Sequence, residues 1–396
     1  MANVSSSNGL EKRPKLRFPG FDEPWQSTLL SSVFTKNTKK NTDGQITNVI
    51  CNSAKQGLIP QREYFDKDIA NSDNTSGYYI IEENDFVYNP RKSADAPYGP
   101  ISRYKYAEAG IVSPLYLCFR AKKEINPSFF EWYFRSSAWH RYVYMSGDSG
   151  ARHDRVSIKD DTFFAMPINL PSAHEQEHIA SFLERIDQRI EKQRALVESL
   201  KKYKRGLVKA LISGTVAFAC SENKRWETVR LAEIFTISAG GDIDRQNSSP
   251  TYSTSYPYPV YANALTNNGL YGYANYFKVE GDSITVSGIG EVGHAIARHC
   301  KYVPIVRLLS LVPKYEDDVD FFAYMINATS IYIESTGVPQ LTSPQLGAVK
   351  VFRPPILEQK RISSLLLKID AKIENEERLT FYLEKIRSSM LQQLFI

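Results

Sequence analysis

The sequence has little cysteine and no long hydrophobic run, and each shortage excludes a class of protein. Four cysteines in 396 residues lie far apart and form no Cys-x-x-Cys pair. This spacing disfavours a disulfide framework or a zinc ribbon and indicates a reducing compartment, so a cytoplasmic location is expected. No stretch reaches 18 apolar residues, so neither a membrane span nor a membrane partner is predicted.

Motifs for nucleotide hydrolysis and methyl transfer are also missing. The chain has no Gly-x4-Gly-Lys-Ser/Thr loop and no Asn-Pro-Pro-Tyr or Asp-Pro-Pro-Tyr string. Neither ATP hydrolysis nor amino-group methylation is therefore predicted for this chain. The net charge of +5 is a mild excess that fits a polyanionic partner without proving one.

What the sequence does contain is a stretch of about forty residues that occurs twice. Residues 171–212 and 355–395 align without a gap at an offset of 183, which places Glu175-Gln176 on Glu358-Gln359. Apolar residues at 4-3 spacing over four heptads predict a long helix packed against another helix. Because one such helix cannot bury its own seam, the two copies are predicted to pair. The predicted helix-pair interface comprises Ile179, Leu183, Ile186, Ile190, Leu200, Leu207, Ile362, Leu366, Ile369, Ile373, Leu383 and Met390.

Each predicted helix is preceded by a globular unit of its own. Trp25 and Leu30 recur at Trp226 and Leu231 with an offset of 201, so the repeat is larger than the helix and each unit is predicted to open with a Trp-led helical turn. Strand patterns, among them residues 305–312, and one aromatic helix follow in each unit. The middles of the two units share almost nothing, which suggests one scaffold that presents two different recognition surfaces.

These observations predict a fold class and boundaries. We expect two α/β (α+β) recognition domains in tandem, joined by two long helices that pair with each other, within an internal repeat. The predicted segments are a flexible N-terminal arm (1–17), recognition domain 1 (18–170), a central helix (171–213), a linker (214–224), recognition domain 2 (225–353) and a C-terminal helix (354–396).

Two strings resemble catalytic motifs, but their contexts argue against chemistry. His174, Glu175 and His178 match His-Glu-x-x-His, which on a helix can hold zinc. The second copy keeps only Glu-Gln, which a helix cap explains, so the histidines are interpreted as incidental. A Gly-x-Gly-x-x-Gly string begins at Gly288 but lacks the helix and the acidic residue that a dinucleotide site requires.

Polar and basic loops are the remaining candidates for function. Arg, Lys, Asn and Gln supply the donors that hold phosphates and read base edges, although any one of them could be an ordinary loop side chain. The predicted DNA-binding residues are Tyr88, Asn89, Arg91, Lys92, Arg103, Lys105 and Arg152 in the first unit and Asn263, Ser287, Gly288, Gly290, Arg298 and Gln340 in the second.

The doubled layout resembles the specificity subunit of type I restriction-modification systems. The resemblance rests on the two Glu-Gln-x-x-Ile strings, the opening string Leu-Arg-Phe-Pro-Gly-Phe from Leu16, and Gly-Val-Pro-Gln-Leu from Gly337. It implies two target-recognition domains joined by an antiparallel coiled coil with a pseudo-two-fold internal repeat. Each domain would read half of a bipartite site in double-stranded DNA, and the helices would fix the gap between the halves. The chain itself would then be a non-catalytic subunit without a metal.

The resemblance also implies partners and their cofactors. Two modification subunits would bind S-adenosylmethionine and methylate adenine, and restriction subunits would translocate and cut DNA with ATP and Mg²⁺. No cofactor is expected in this chain. Two alternatives stay open: a coiled-coil adaptor that binds proteins only, and a zinc hydrolase that uses the string from His174 to His178.

Overall fold

The structure is a computed structural model that describes residues 13–64, 75–147, 154–212, 226–329 and 340–396. The chain divides into two units: unit 1 comprises Met1–Gln193 with Leu379–Ile396, and unit 2 comprises Arg194–Arg378. The predicted linker and residues 1–12 of the predicted arm lie outside the described residues. In the part of the chain that is described, no helix is long and apolar enough to cross a membrane.

Unit 1 contains short strands and helices, followed by the start of the first long helix. A four-stranded antiparallel sheet in the order β2-β9-β6-β7 forms its centre, and β1 pairs with β10 at the entrance to that helix. The elements are β1 Gln26–Leu29, α1 Leu30–Val33, β2 Phe34–Lys36, β3 Ile50–Ser53, β4 Gly57–Pro60, α2 Gln61–Tyr64, β5 Tyr79–Ile81, β6 Phe86–Tyr88, β7 Ile101–Arg103, β8 Gly110–Val112, β9 Leu117–Ala121, α3 Pro127–Arg135, α4 His140–Ser146, α5 Asp160–Phe164, β10 Pro167–Leu170 and α6 Ala173–Ile212.

Unit 2 repeats the same scaffold. Its central sheet has the order β12-β19-β16-β17, and β11 pairs with β20 just before the second long helix. The elements are β11 Glu227–Arg230, α7 Leu231–Ile234, β12 Phe235–Ala239, β13 Ser248–Ser249, β14 Tyr258–Tyr261, a 3-10 turn Thr266–Gly269, β15 Leu270–Ala274, β16 Ser283–Val286, β17 Ala295–Arg298, β18 Val303–Pro304, β19 Leu309–Pro313, α8 Val319–Ala328, α9 Ser343–Gly347, β20 Lys350–Arg353 and α10 Ile356–Gln393.

An aromatic core explains why the two scaffolds agree. In unit 1 Phe34 packs edge-on against Phe86, Phe119 and Phe130, with ring centroids 5.0–5.4 Å apart. In unit 2 Phe235 packs edge-on against Phe322 at 5.3 Å. Edge-to-face packing at these distances adds to the burial of apolar surface. The aromatic helices α3 and α8 therefore fasten equivalent sheets, as their shared Phe-Phe pair predicts.

Both helices α3 and α8 begin with the same kind of cap. The side chain of Asn126 accepts a hydrogen bond from the backbone N–H of Phe129 at 2.9 Å, and Asp318 accepts one from Phe321 at 2.7 Å. Such a cap satisfies one of the free N–H groups at a helix start, which is worth about 1 kcal/mol. The equivalent positions in the two units thus begin their aromatic helix by the same physical device.

Three predictions about local structure are wrong. A strand, β1 or β11, separates the leading tryptophan from the helical turn, because these residues pair with the strand before the long helix. Residues 305–312 are not one strand, since Val306 and Arg307 adopt positive φ angles of 51° and 59° and break it. Leu16 and Arg17 are not part of a flexible arm: the Leu16 N–H donates to the Gln393 carbonyl at 3.0 Å, and Arg17 is ion-paired.

The glutamine of the repeated Glu-Gln pair makes the same hydrogen bond at the start of both long helices. Gln176 Nε2 donates to the Pro171 carbonyl at 3.0 Å, and Gln359 Nε2 donates to the Pro354 carbonyl at 2.8 Å. In both cases the amide ties the helix to the carbonyl five residues before it. The interpretation that this pair belongs to a helix start, and not to a catalytic motif, therefore has a direct structural reason.

The two long helices meet within each unit through opposite ends. In unit 1, Ile179 and Leu183 near the start of α6 share a core with Leu394 and Phe395, which lie just past the end of α10. In unit 2, Leu211 at the end of α6 shares a core with Ile362 and Leu366 at the start of α10. Pairing of opposite ends is the arrangement of an antiparallel pair.

Repeat-equivalent ion pairs mark the same relationship. In unit 1 Arg387 pairs with Asp187, and in unit 2 Lys204 Nζ lies 2.5 Å from Asp370 Oδ1. The offset of 183 turns Asp187 into Asp370 and Lys204 into Arg387, so each pair is the copy of the other. A reciprocal pair of contacts is what a pseudo-two-fold axis produces. Both pairs are partly exposed, so they set register and add little stability. The predicted fold class is confirmed.

Candidate nucleic-acid interface

Unit 1 contains a groove of about 840 Å³ at one end of the β6–β7 hairpin. Four cationic side chains line it, against a single carboxylate from Asp95. Asparagine, glutamine and serine side chains from the β3–β4 hairpin line another wall. A groove with excess positive charge and amide donors suits a phosphate backbone next to base edges. The cationic side chains are Lys55, Arg91, Lys92 and Arg155.

Three predicted residues, Asn89, Arg91 and Lys92, lie in this groove. Asn89 is fixed because its Nδ2 donates to the Asn52 carbonyl at 3.2 Å and its Oδ1 accepts from the Arg91 N–H at 3.1 Å. The Lys92 N–H donates to the Asp154 carbonyl at 2.8 Å. This pairing places Arg91 opposite Arg155. The two paired segments therefore contribute Arg91, Lys92 and Arg155 to one groove.

Tyr88 does not lie on the interface, which corrects its predicted role. Its side chain is 2% exposed and stacks on Phe163 at a centroid distance of 5.2 Å. Its hydroxyl donates to the Tyr98 carbonyl at 2.9 Å, and burial raises the pKa of the phenol. Tyr88 holds the inner side of the hairpin whose next residue, Asn89, lines the groove.

Arg103 and Lys105 are occupied elsewhere, which corrects a second prediction. Arg103 pairs with Phe86, at the end of the hairpin away from the groove. Lys105 Nζ lies 2.8 Å from Glu131 Oε1, and Arg103 Nη1 donates to the Ser128 hydroxyl at 3.0 Å. These cations neutralise a nearly buried carboxylate on α3. Predicted residue Arg152 lies outside the described residues.

In unit 2 hydrogen bonds of the Asn263 side chain join its own loop to two others. Its Oδ1 accepts from the Gly288 N–H at 2.8 Å, and its Nδ2 donates to the Val306 carbonyl. The Leu341 N–H donates to the Gly288 carbonyl at 2.8 Å, which adds the loop that contains Gln340. We call this set the Asn263 loop cluster: residues 263–268, 287–293, 306–307 and 340–341. Predicted residues Asn263, Gly288, Gly290 and Gln340 are thereby brought together.

Gly288 is required at the centre of this cluster. A Cβ there would lie 2.9 Å from the Arg307 carbonyl oxygen and 3.1 Å from that of Leu341. The absence of a side chain at Gly288 therefore allows the loops of Arg307 and Leu341 to approach closely. Gly290, with φ of 78°, forms the exposed tip of the same loop.

Arg298 and Ser287 support the cluster from inside, so their predicted contact with DNA is corrected. Arg298 is 7% exposed and lies 3.6 Å over the Tyr261 ring, and its Nη2 donates to the Asn268 carbonyl at 2.7 Å. Burial lowers the pKa of its guanidinium. Ser287 is also 7% exposed and bonds across its own loop to Glu291 and His294.

Sequence reasoning missed four residues of the candidate interface. Arg155 lies three residues after the predicted residue Arg152, so its charge is a usable signal. Lys55 and Gln56 lie in an ordinary-looking hairpin turn between β3 and β4. Arg307 was hidden because its flanking valines and leucines read as one strand.

The string from His174 to His178 is not arranged for zinc chemistry. Both oxygens of Glu175 are engaged: Arg17 Nε lies 2.8 Å from Oε1, and Nη2 lies 2.8 Å from Oε2. The two imidazoles stand 4.4 Å apart beside the ring of Phe21. Among the described residues, no group of three histidine, cysteine or acidic side chains could hold a metal ion.

Arg17→Met is expected to destabilise the chain, because it leaves the Glu175 carboxylate buried without a partner. The two side chains are 13% and 1% exposed, so the loss should approach the cost of breaking a buried pair, roughly 3–5 kcal/mol. Urea unfolding followed by tryptophan fluorescence measures it. Lys15→Ala, at an exposed neighbour, should have almost no effect, and Arg17→Met with Glu175→Gln should recover part of the loss. Equal effects of Arg17→Met and Lys15→Ala would contradict the assignment.

The predicted helix-pair residues fall into two groups by burial. Ile179, Leu183, Ile190, Ile362, Leu366 and Ile373 are at most 8% exposed. Leu207 and Met390 are half-buried and pack against the core of unit 2 and of unit 1 respectively. The others, half-buried as well, are Ile186, Leu200, Ile369 and Leu383. At the start of each long helix, the residues of the predicted helix-pair interface therefore belong to the hydrophobic core of a unit.

Comparison with known proteins decides the family. The family described as type I restriction modification DNA specificity domain matches residues 23–201 and 223–385. The chain belongs to this family. Members of the specificity family confer the DNA specificity of type I restriction-modification systems, so the resemblance that the doubled helix indicated is confirmed.

Relatives of this specificity chain agree in sequence and in fold. A Mycoplasma pneumoniae protein named as a type I specificity subunit is 25% identical over 62% of this chain and 64% of its own length. The chain spans less than two thirds of the length of the curated relatives it matches. The crystal structure of the S subunit from M. genitalium superposes with a TM-score of 0.58 at 16% identity, over 97% of this chain and 99% of that one. A chain from a study of complex assembly in the type I system gives 0.63 at 17% identity, over 96% and 99%.

Proposed function

We propose that this specificity chain is a sequence-specific DNA-binding subunit in which each unit reads one half of a bipartite site. The observation that carries the proposal is the doubling: two equivalent scaffolds, each fixed to opposite ends of the two long helices, with unrelated loops at their interfaces. The basic groove of unit 1 has four cationic side chains, whereas the Asn263 loop cluster of unit 2 is built on glycine and asparagine and exposes one arginine, Arg307. Different loops on one scaffold suit two different half-site sequences.

The helix pair is proposed to set the gap between the half-sites. A helix of 40 residues is about 60 Å long and is stiff when it is paired. A rigid spacer lets two modest half-site readers act as one tight reader, because binding of the first raises the effective concentration of the second. Reciprocal contacts such as Asp187–Arg387 and Lys204–Asp370 would keep the two helices in one register.

The same helices are proposed to dock two modification subunits. Leu379, Tyr382 and Ile386 lie on one face of α10, and they are 38%, 56% and 46% exposed. Exposed apolar side chains on one helical face are typical of a protein interface. S-adenosylmethionine would bind in those modification subunits, and ATP and Mg²⁺ in the restriction subunits of the complete assembly. This chain would contribute no catalytic group of its own.

Mapping methylated adenines in a host that carries this chain with its modification subunits tests the proposal. The expected result is a two-part sequence with a gap of fixed length that the protein does not read. A methylated sequence in one continuous part would contradict it. An adaptor that binds only proteins would give no salt-dependent binding of DNA by the purified complex, so a binding titration at two salt concentrations separates the alternatives.

A further inference from the structure

The Val306–Arg307 turn of unit 2 has a strained backbone, and both of its side chains are exposed. Both residues have positive φ angles, 51° and 59°, and valine is β-branched, so this conformation is unfavourable for each residue. Burial does not offset this cost, because the Val306 side chain is 53% exposed. Arg307 is exposed as well. A strained turn that directs two side chains outward indicates a function for those side chains.

The turn is held in place from three directions. The backbone N–H groups of Val306 and Arg307 donate to the carbonyls of Gly241 and Gly240, both at 2.9 Å. The Val306 carbonyl accepts from the side chain of Asn263. Gly240 cannot be replaced easily, since a Cβ there would lie 2.6 Å from the carbonyl carbon of Pro304. The conformation is therefore built into the scaffold and does not depend on a ligand.

The guanidinium of Arg307 is also oriented before any ligand binds. Its Nη1 donates to Gln340 Oε1 at 3.0 Å, and Gln340 is joined to the glycine loop by a bridge to Ile289. An arginine presents its donors as a planar fork, and this contact uses one side of that fork. The remaining donors match the O6 and N7 acceptors of guanine. This pairing is the commonest specific arginine contact in the major groove.

We propose that Arg307 reads a guanine in the half-site of unit 2, that Gln340 orients its guanidinium, and that Val306 makes an apolar contact with the neighbouring base. The proposal rests on the function proposed above and deepens it. The strain at Val306 is then the cost of placing a rigid apolar contact next to a base-reading arginine.

Binding competition with the methylated sequence and its single-base-pair variants tests this assignment, using the chain assembled with its modification subunits. Arg307→Ala should reduce discrimination at one base pair of the second half-site by roughly 5- to 150-fold and leave the first half-site unchanged. Arg307→Lys keeps the charge but not the fork, so it should keep most of the salt dependence and still lose that discrimination. Lys350→Ala, which removes one exposed charge from β20, should change neither.

Val306→Gly separates function from folding. Glycine adopts positive φ without strain, so the unfolding temperature should stay the same or rise, while specific binding weakens. Specific binding that stays unchanged in Val306→Gly would overturn the role of Val306. Discrimination that stays unchanged in both Arg307 variants, with a wild-type complex that binds its site, would overturn the role of Arg307 alone. A wild-type complex that binds no DNA would overturn the proposed function as well.

Discussion

Replacing Arg91, Lys92 and Arg155 together with alanine is expected to weaken DNA binding by the assembled complex roughly 100-fold at low salt. These side chains line one groove with a positive excess, and their backbones are paired, so they would meet the same stretch of phosphates. Each lost phosphate contact should reduce the slope of log affinity against log salt by about 0.9, so the slope should fall by almost 3. Filter binding at several salt concentrations measures both quantities.

A matched triple variant makes that result specific to the groove. Lys122, Lys123 and Arg141 are exposed in the same unit and do not line the groove. Their replacement with alanine changes the net charge by the same amount. It should leave the salt slope within about one unit of wild type. An equal loss of affinity in the two triple variants would show that binding follows net charge, and the groove would not be the interface.

Removing four residues from each long helix is expected to shorten the gap in the methylated sequence by about two base pairs. Four helical residues span about 6 Å, and base pairs are spaced by about 3.4 Å. Deletion of 191–194 and 374–377 removes equivalent positions of the repeat. Both ion pairs can then persist, since Asp187 and Lys204 on one helix come closer by the same amount as Asp370 and Arg387 on the other.

Two controls accompany the deletion. Alanine replacement at the exposed positions 191, 192, 374 and 377 keeps the helix length, so the gap should stay that of wild type. Deletion in α6 alone brings only one of the two ion pairs into the wrong register and offsets the apolar seam, so methylation should be lost. A gap that remains constant after the double deletion would rule out the helix pair as the spacer.

The sequence predicted the large-scale fold because its signals were long and repeated. A seam of apolar residues over four heptads leaves few alternatives to a paired helix, and the internal copy specified its partner. The Phe-Phe pair of α3 and α8 similarly identified a buried helix in each unit. Short elements were harder: Gln26–Leu29 and Glu227–Arg230 carry little apolar pattern, and only pairing with a distant strand makes them strands.

Individual interface residues were less predictable, since a cation in a loop does not reveal its own partners. Arg298 looked like a DNA contact, yet Tyr261 and the Asn268 carbonyl hold its guanidinium inside the unit. Arg103 and Lys105 are basic, but Glu131 on α3, which belongs to no recognisable motif, forms ion pairs with both. Arg307, by contrast, lies within an apolar stretch of the sequence. Only the positive φ angles of Val306 and Arg307 show that the backbone turns at this point.

Exchange of residues 84–114 for the corresponding segment of a relative with a different DNA site tests the central claim most directly. This segment supplies Asn89, Arg91 and Lys92 to the groove. A donor that keeps Asp85 and the apolar or aromatic residues at positions 86–88, 101, 104 and 111–112 should preserve the core. The methylated adenines of the host are then mapped. If each unit recognises its own half-site, one half of the recognised sequence should change while the other half and the gap remain. A change in both halves, or in the gap, would contradict separate reading by the two units.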